Sequence, residues 1–247
     1  MSGFSRWVAG TAALLALGLS SGVAVAPLVS PAPVTAQEFS FSDVPDDYWA
    51  KGFITELTRM GIIEGFPNGT FHPNSPVTRA QFAAMLRRAN ANYWERPNIN
   101  RITVFSDVSS SYWAATAINS VVRTGFMRGY HDGIFNPELA IPREQVFVSL
   151  ANGLGYTQAL TQEPSSVLNI YQDASSISDY ALRGVAAATV NGLVVNYPNV
   201  TRIAPCCYGA TRAEVAAAIY QALVSTGHAP AINSPYIVTP APAAATP

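Results

Sequence analysis

Hydrophobic side chains recur at three- and four-residue intervals in the segment that begins at Trp49. Phe53, Leu57 and Met60 follow at this spacing, which is typical of a helix with one apolar face. Gly61 comes next, and glycine commonly ends a helix because it adopts a left-handed conformation without strain. The pattern therefore predicts an amphipathic helix that ends at Gly61.

A second apolar face follows a short loop. The loop at 65–69 contains two glycines, a proline and an asparagine, a composition that favours tight turns. Beyond it, Phe82 and Leu86 are four residues apart and lie on one helical face. Thr78 and Gln81 are three residues apart just before this face, so we expect a capping box at the start of the second helix.

The whole pattern returns 64 residues later without a gap. Phe-Ser-Asp-Val at 41–44 recurs at 105–108, and Tyr-Trp-Ala at 48–50 recurs at 112–114. Other positions recur at the same offset: Gly61, Gly65, Gly69, Phe71, Pro73 and Arg79 become Gly125, Gly129, Gly133, Phe135, Pro137 and Arg143. Self-similarity at one period indicates a repeat architecture.

A third copy is present in a divergent form. Tyr-Gln-Asp at 171–173 matches the Phe-Ser-Asp opening, and Tyr-Ala stands where Trp-Ala stood. Gly192 takes the first glycine position, but Asn196 replaces the second. Thr211 and Glu214 repeat the capping pair. We expect this repeat to complete the core.

These patterns predict an all-α fold of three tandem helix–loop–helix repeats, at 39–91, 103–155 and 169–224. Residues 92–102 form a polar linker that contains one proline. The tail at 229–247 is rich in proline and alanine, so we expect it to be disordered or extended.

The N-terminus has the features of an export signal. Arg6 precedes an uncharged apolar stretch at 8–29, and the small residues at 34–36 stand before Gln37, as in a cleavage site. We therefore interpret 1–36 as a signal peptide and expect an exported, envelope-associated protein without a later membrane span. The alternative is an uncleaved anchor, since the apolar stretch approaches the length of a bilayer span.

Composition and motifs exclude several functions. Charged residues make up 12% of the chain and the net charge is −1, which disfavours nucleic-acid binding because such proteins need a basic face. Cys206 and Cys207 are adjacent, so they form two loop thiols or one strained bridge. The histidines, His72, His131 and His228, are scattered and predict no metal site. No nucleophile elbow, HExxH helix or phosphate loop is present, and we expect neither an enzyme nor a cofactor.

The repeated motifs Phe-x-Asp-Val, Trp-Ala, Gly-Ile-Ile-x-Gly, Gly-x-Phe-x-Pro and Thr-Arg-Ala-Gln resemble the S-layer homology family. The resemblance implies a pseudo-threefold module with ligand grooves between repeats. We expect the third repeat to bind a ligand less well, because Asn196 alters its groove. It also implies non-catalytic binding to a cell-wall polysaccharide, often through pyruvylated sugars. Arg-Glu-Gln at 143–145 resembles the variant of cyanobacterial-type envelopes, where the module links the outer membrane to a peptidoglycan-bound glycan. The alternatives are an interaction module for an envelope protein partner and a self-assembling structural protein.

Three arginines occupy equivalent positions: Arg79, Arg143 and Arg212 each lie in the first turn of a predicted second helix. A cation there opposes the helix dipole, so its recurrence indicates another role. Helix-start N–H groups and a guanidinium fork suit a carboxylate such as a pyruvyl ketal. The alternative is a salt bridge between repeats, to Asp43, Asp107 or Asp173.

Aromatic and glycine residues complete the candidate site. We expect Trp49 and Trp113 to pack mainly in the core with one edge toward a groove, although a Trp face also stacks on sugars. Gly65 and Gly129 are expected to form turns and, less directly, to let a sugar approach the backbone. The candidate glycan-binding residues are Arg79, Arg143, Arg212, Asp43, Asp107, Trp49, Trp113, Gly65 and Gly129.

Overall fold

The computed structural model describes residues 39–95, 104–203 and 209–239. All of them belong to one compact unit, Glu38–Pro247. The predicted signal segment, the Cys206–Cys207 pair, and the last residues of the tail lie outside the described residues.

The described residues are helical. Their α-helices are α1 Lys51–Arg59, α2 Arg79–Ala89, α3 Ala115–Arg123, α4 Arg143–Gly153, α5 Tyr156–Ala159, α6 Pro164–Leu168, α7 Leu182–Val190 and α8 Arg212–Ser225. Short helical turns lie at Asn90–Trp94, His131–Gly133 and Ala174–Ser176. Backbone pairing in this part of the chain is limited to isolated bridges, so the all-α prediction is confirmed.

The predicted helix pairs correspond to α1 with α2, α3 with α4, and α7 with α8. The two predicted capping boxes are present, since the Thr78 hydroxyl accepts a hydrogen bond from the Gln81 N–H and the Gln81 side chain accepts one from the Thr78 N–H. Thr211 and Glu214 make the same reciprocal pair at the start of α8. Pro142 stands at this position before α4 and makes no side-chain cap.

The described part of the predicted linker forms a helical turn that packs against the other repeats. Residues Asn90–Trp94 extend α2 by a π-helical turn. The ring of Trp94 stacks on Phe126 with a centroid separation of 5.1 Å, and its Nε1 donates to Thr226 Oγ1 at 3.1 Å. The turn therefore ties the first repeat to the second and third.

Helices α5 and α6 form an insertion between the second and third repeats that the sequence pattern did not predict. Leu160 and Leu168 of this insertion are buried. Arg183 of α7 donates to the carbonyls of Thr157 and Leu160, at 3.0 and 2.7 Å. The insertion thus covers the outer side of α7.

A closed ring of backbone hydrogen bonds joins the three repeats just before their second helices. The Val77 N–H donates to the Ala210 carbonyl at 2.9 Å, the Ala210 N–H to the Ile141 carbonyl at 2.8 Å, and the Ile141 N–H to the Val77 carbonyl at 2.8 Å. These three residues occupy equivalent positions in their repeats and are buried. The ring therefore places the repeats in a cyclic order around one shared hydrophobic core.

The described part of the tail, 229–239, is extended, which is one of the two expected states, and it is packed against the rest of the domain. The Asn196 N–H donates to the Tyr236 carbonyl at 2.8 Å, and the Val238 N–H donates to the Val194 carbonyl at 2.9 Å. Val238 is buried. The Pro/Ala-rich composition hid this role because the hydrogen bonds are made to a distant loop of the third repeat.

No helix within the described ranges has the length and apolar character needed to cross a membrane.

Candidate functional site

Arg79 reaches from the first repeat into the loop of the second. Its Nε donates to the Phe135 carbonyl at 2.8 Å and its Nη2 donates to the Arg128 carbonyl at 2.9 Å. Its Nη1 donates to Gln145 Oε1 at 2.8 Å. The guanidinium also lies over the rings of Tyr130 and Phe135, with centroid distances of 4.7 and 4.4 Å. Arg79 is thus held between two repeats.

Arg212 makes the corresponding contacts from the third repeat to the first. Its Nε donates to the Phe71 carbonyl at 2.7 Å and its Nη2 to the Glu64 carbonyl at 2.8 Å. The guanidinium lies over the rings of Phe66 and Phe71, at 5.1 and 4.3 Å from their centroids. Arg212 therefore serves the loop of the first repeat, which contains Gly65, and not the loop of its own divergent repeat.

Arg143 completes the cycle from the second repeat to the third. Its Nη2 donates to the Val195 carbonyl at 2.5 Å and to Asn196 Oδ1 at 2.8 Å, and its Nη1 donates to the Ile203 carbonyl at 3.3 Å. Glu214 Oε1 lies 3.6 Å from Nη1. The groove that Asn196 alters is consequently the groove to which the second repeat contributes Arg143.

The aspartates hold the same loops from the other side. Asp43 accepts hydrogen bonds from the N–H groups of Phe71 and His72, both at 2.7 Å. Asp107 accepts from Phe135 and Asn136 in the same way, at 2.8 and 2.7 Å.

The third repeat follows this arrangement, because Asp173 accepts from the Ile203 N–H at 2.9 Å. One residue of each loop therefore has its N–H bound by an aspartate of its own repeat and its carbonyl bound by an arginine of the preceding repeat. Asp43 and Asp107 thus shape loops of their own repeats. Each also acts electrostatically on the arginine of the preceding repeat, Arg212 and Arg79 respectively, and raises the pKa of that arginine against the effect of burial.

The predicted anion site at the helix starts is also wrong for α2 and α8. The N–H groups of Arg79 and Ala80 donate to carbonyls of the second repeat at 2.9 Å each. Those of Arg212 and Ala213 donate to carbonyls of the first repeat at 2.9 and 3.0 Å. These N–H groups are used to join repeats, so only the arginine side chains remain as candidates for an anion.

Two open cavities lie beside these arginines, and each is numbered here by the repeat whose loop lines it. Groove 1 has a volume of about 240 Å³ and is lined by residues that include Arg212, Gly65, Phe66, Gln81, Arg88 and Trp113. Groove 2 has a volume of about 530 Å³ and is lined by residues that include Arg79, Arg128, Tyr130, His131, Gln145 and Tyr180. Each groove combines an arginine of the preceding repeat, a loop of its own repeat and an aromatic residue of the following repeat.

The two predicted tryptophans have different surroundings. Trp113 is 61% exposed and lines groove 1, so the expectation that it packs mainly in the core is wrong. Trp49 is partly buried and stacks on Tyr197, with centroids 5.2 Å apart and an interplanar angle of 5°. The equivalent residue of the third repeat, Tyr180, is 58% exposed and lines groove 2.

Tyr180, Tyr130 and Gln145 were not among the predicted site residues. The Tyr180 hydroxyl donates to Glu144 Oε1 at 2.6 Å, and burial together with this hydrogen bond raises the pKa of Tyr180. Its match to the Trp positions of the other repeats was a signal in the sequence. Tyr130 and Gln145 carried no such signal because the pairing of repeats brings them to Arg79.

Gly65 and Gly129 permit close packing of the protein on itself. A Cβ at Gly129 would lie 2.2 Å from Cε1 of Phe105 and 2.8 Å from the Ile134 carbonyl oxygen. A Cβ at Gly65 would lie 2.2 Å from Cε1 of Phe41. Glycine is needed at both positions because a side chain would collide with the phenylalanine at the start of the same repeat, Phe41 or Phe105.

The charges of the arginines differ in their compensation. Burial lowers the pKa of Arg79, Arg143 and Arg212. In the described part of the chain Arg143 lies near a carboxylate of Glu214, whereas the hydrogen bonds of Arg79 and Arg212 go to neutral carbonyls and an amide. Grooves 1 and 2 therefore each present a guanidinium whose hydrogen bonds within the described residues are made to neutral groups, and groove 1 also contains the Glu64–Arg88 ion pair. Within the same residues, no cluster of His, Cys, Asp and Glu could hold a metal ion.

Comparison with known proteins agrees with the repeat assignment. Residues 40–83 and 104–147 match the S-layer homology domain. The match falls on the first two repeats, and the assignment of the third repeat to the same family stays a prediction.

The chain is similar to parts of much longer surface proteins and enzymes. An amylopullulanase of Thermoanaerobacterium thermosulfurigenes is 37% identical over 195 residues, covering 76% of this chain and 10% of the relative. A cellulosome-anchoring protein of Acetivibrio thermocellus is 30% identical over 112 residues, covering 43% of this chain and 24% of the relative. S-layer protein EA1 of Bacillus anthracis is 34% identical over 127 residues, covering 51% and 14%. The chain thus spans less than a quarter of the length of each of these relatives.

We predict that Gly129→Ala destabilises the protein by about 1–3 kcal/mol, since the added methyl group overpacks a ring and a backbone carbonyl. Urea unfolding of the purified variant measures this change. The control is Gly52→Ala, where the nearest atom to the new Cβ is a methyl carbon of Ile232 at 3.5 Å. Equal unfolding midpoints for the two variants would contradict the packing role of Gly129.

The Asp43 carboxylate gives a pH-dependent prediction. Burial raises the pKa of Asp43, but hydrogen bonds from the Phe71 and His72 N–H groups outweigh burial and lower it overall. Since the folded pKa lies below the unfolded value of about 3.9, the stabilisation is present above the unfolded pKa and is lost as the pH falls through the folded pKa.

Asp43→Asn should therefore unfold at lower urea concentration than the wild type at pH 6, and the difference should shrink toward pH 2. The exposed Asp47→Asn is the control. A difference that stays constant across this range would show that the charge of Asp43 is not what binds the loop.

Proposed function

We propose that this protein is a non-catalytic module of the cell envelope that binds an anionic wall polysaccharide in grooves 1 and 2. The observation that carries the proposal is the pair of buried arginines, Arg79 and Arg212, whose positive charge faces a cavity and is hydrogen-bonded to neutral groups. Asp107 and Asp43 act on these charges electrostatically but accept none of the hydrogen bonds of the guanidinium groups, and a buried charge that is only partly compensated is costly. A carboxylate on the ligand would therefore gain a charge-assisted contact.

The walls of the grooves suit a sugar that carries a carboxylate. Groove 2 places the aromatic rings of Tyr130 and Tyr180 in the same cavity as Arg79 and Arg128. Groove 1 has Phe66 and Trp113 with Arg212. Aromatic faces pack against the apolar C–H faces of a sugar, while the arginines bind its acidic group. A pyruvylated sugar of a secondary wall polymer fits this combination.

The comparisons support an anchoring role rather than catalysis. One similar protein is named a cellulosome-anchoring protein, and another is named an S-layer protein. The match covers only 10% of the amylopullulanase, so we do not propose its enzymatic activity for this protein. We propose an exported protein held at the cell wall by this domain.

The test uses residues at the edge of the grooves, because Arg79→Ala would break three hydrogen bonds between repeats and mix stability with binding. Arg128 is exposed at groove 2, and Trp113 is exposed at groove 1. We expect Arg128→Gln to weaken binding about five- to tenfold, the loss of roughly one charge-assisted contact. We expect Trp113→Ala to weaken binding as well, and the double variant to lose more than either.

Binding is measured by co-sedimentation with sacculi of the producing bacterium, before and after mild acid hydrolysis of ketal-linked pyruvate. The control Arg123→Gln removes an exposed arginine of α3 that does not line either groove. Wild-type affinity in the folded double variant would exclude both grooves. Binding that survives complete removal of the polysaccharide would instead favour an envelope protein as the partner.

A further inference from the structure

A third groove is expected by the cyclic order of the repeats, but its position is filled. Arg143 is the equivalent of Arg79 and Arg212, and it is 5% exposed. Asn196 stands at the glycine position of the loop, where its Oδ1 accepts a hydrogen bond from Arg143 at 2.8 Å and its Nδ2 donates to the Val200 carbonyl at 3.1 Å. The asparagine side chain thus occupies the space next to the guanidinium.

The aromatic residue of this position is covered as well. Trp49 is equivalent to Trp113 and Tyr180, which are exposed in grooves 1 and 2. Its flat face is stacked on Tyr197. Trp49 and Tyr236 form an edge-to-face pair with a centroid distance of 6.3 Å and an interplanar angle of 83°. Tyr197 and Tyr236 also meet edge to face at 4.9 Å. The face on which a sugar would stack is therefore taken by a tyrosine of the same chain.

The covering segment is fastened along its backbone. The Tyr236 carbonyl accepts the Asn196 N–H, and the Val238 N–H donates to the Val194 carbonyl. Ile232 packs against α1, with its side-chain carbons 3.5 and 3.7 Å from the position of a Cβ on Gly52. The segment thus lies across elements of the first and third repeats, as a bound ligand of groove 3 would.

The positive charge of Arg143 is also compensated by a nearby carboxylate. Glu214 lies 3.6 Å away, whereas the residues at the equivalent position in the open grooves are the neutral Gln81 and Gln145. Four features of groove 3 therefore replace a ligand: an amide beside the arginine, a carboxylate near it, a ring on the tryptophan and an extended segment over the mouth.

We propose that residues 232–238, together with Tyr197, are the permanent intramolecular occupant of groove 3, so that this protein engages the wall polysaccharide at two sites and not three. The inference rests on the proposed function for the use of grooves 1 and 2. The closure of groove 3 is a separate statement, because it concerns the accessibility of Trp49 in the free protein.

Hydroxyl-radical footprinting of the full chain, read by mass spectrometry at single residues, tests both statements in one experiment. The probe is the peptidoglycan–polysaccharide complex released from sacculi by muramidase. In the free protein we expect rapid oxidation of Trp113 and Tyr180 and slow oxidation of Trp49. Added polysaccharide should protect Trp113 and Tyr180 and leave the oxidation of Trp49 unchanged.

The variant Tyr236→Ala should raise the oxidation rate of Trp49 several-fold toward that of Trp113, because it removes one of the rings that cover it. Tyr156→Ala, which removes a tyrosine of α5 hydrogen-bonded to Ser225, is the control for general loosening and should leave Trp49 protected.

The outcomes separate the two statements. Rapid oxidation of Trp49 in the free wild type, or its protection by added polysaccharide, would overturn the closure of groove 3. Slow oxidation of Trp49 with no protection of Trp113 or Tyr180 would keep the closure and contradict the proposed function. Exposure of Trp49 in Tyr156→Ala as large as in Tyr236→Ala would also overturn the assignment of the segment as the occupant.

Discussion

The ring of hydrogen bonds through Val77, Ile141 and Ala210 is the constraint on which the rest of this structure depends. Each of these residues gives its N–H to one repeat and its carbonyl to the other. A repeat taken out of the ring would leave buried backbone groups unpaired on both neighbours, at about 1–3 kcal/mol for each group. The repeats are consequently parts of one fold, and their cyclic order is fixed before any ligand is considered.

That cyclic order makes every groove a product of three repeats. In groove 2 the first repeat supplies Arg79, the second supplies Tyr130, and the third supplies Tyr180. In groove 1 the third repeat supplies Arg212, the first supplies Phe66, and the second supplies Trp113. A single repeat or a pair of repeats does not supply all three parts of such a groove. The divergent third repeat provides Arg212 to groove 1 and Tyr180 to groove 2.

The arginines combine two roles that are usually separate. Their N–H groups hold the loop of the next repeat through its carbonyls, so they contribute to the stability of the fold. Hydrogen bonds to carbonyls do not neutralise the guanidinium, and its charge remains directed at the groove. Where Glu214 is near Arg143, the same arginine is part of a closed interface instead. A carboxylate close to the guanidinium thus distinguishes Arg143 from Arg79 and Arg212 within the described residues.

The sequence alone determined the elements whose causes are local. Helical spacing and the threonine caps at Thr78 and Thr211 depend on residues close together in the chain, and these features were predicted correctly. The recurrence of an arginine at the start of each second helix, where the helix dipole disfavours a cation, also indicated a role for these arginines outside their own helices. Only the tertiary structure decided which repeat each arginine serves, because that depends on the direction of the ring. It also decided that Trp113 is exposed while Trp49, with the same local motif, is covered by residues 232–238, since the cover comes from a segment almost two hundred residues away.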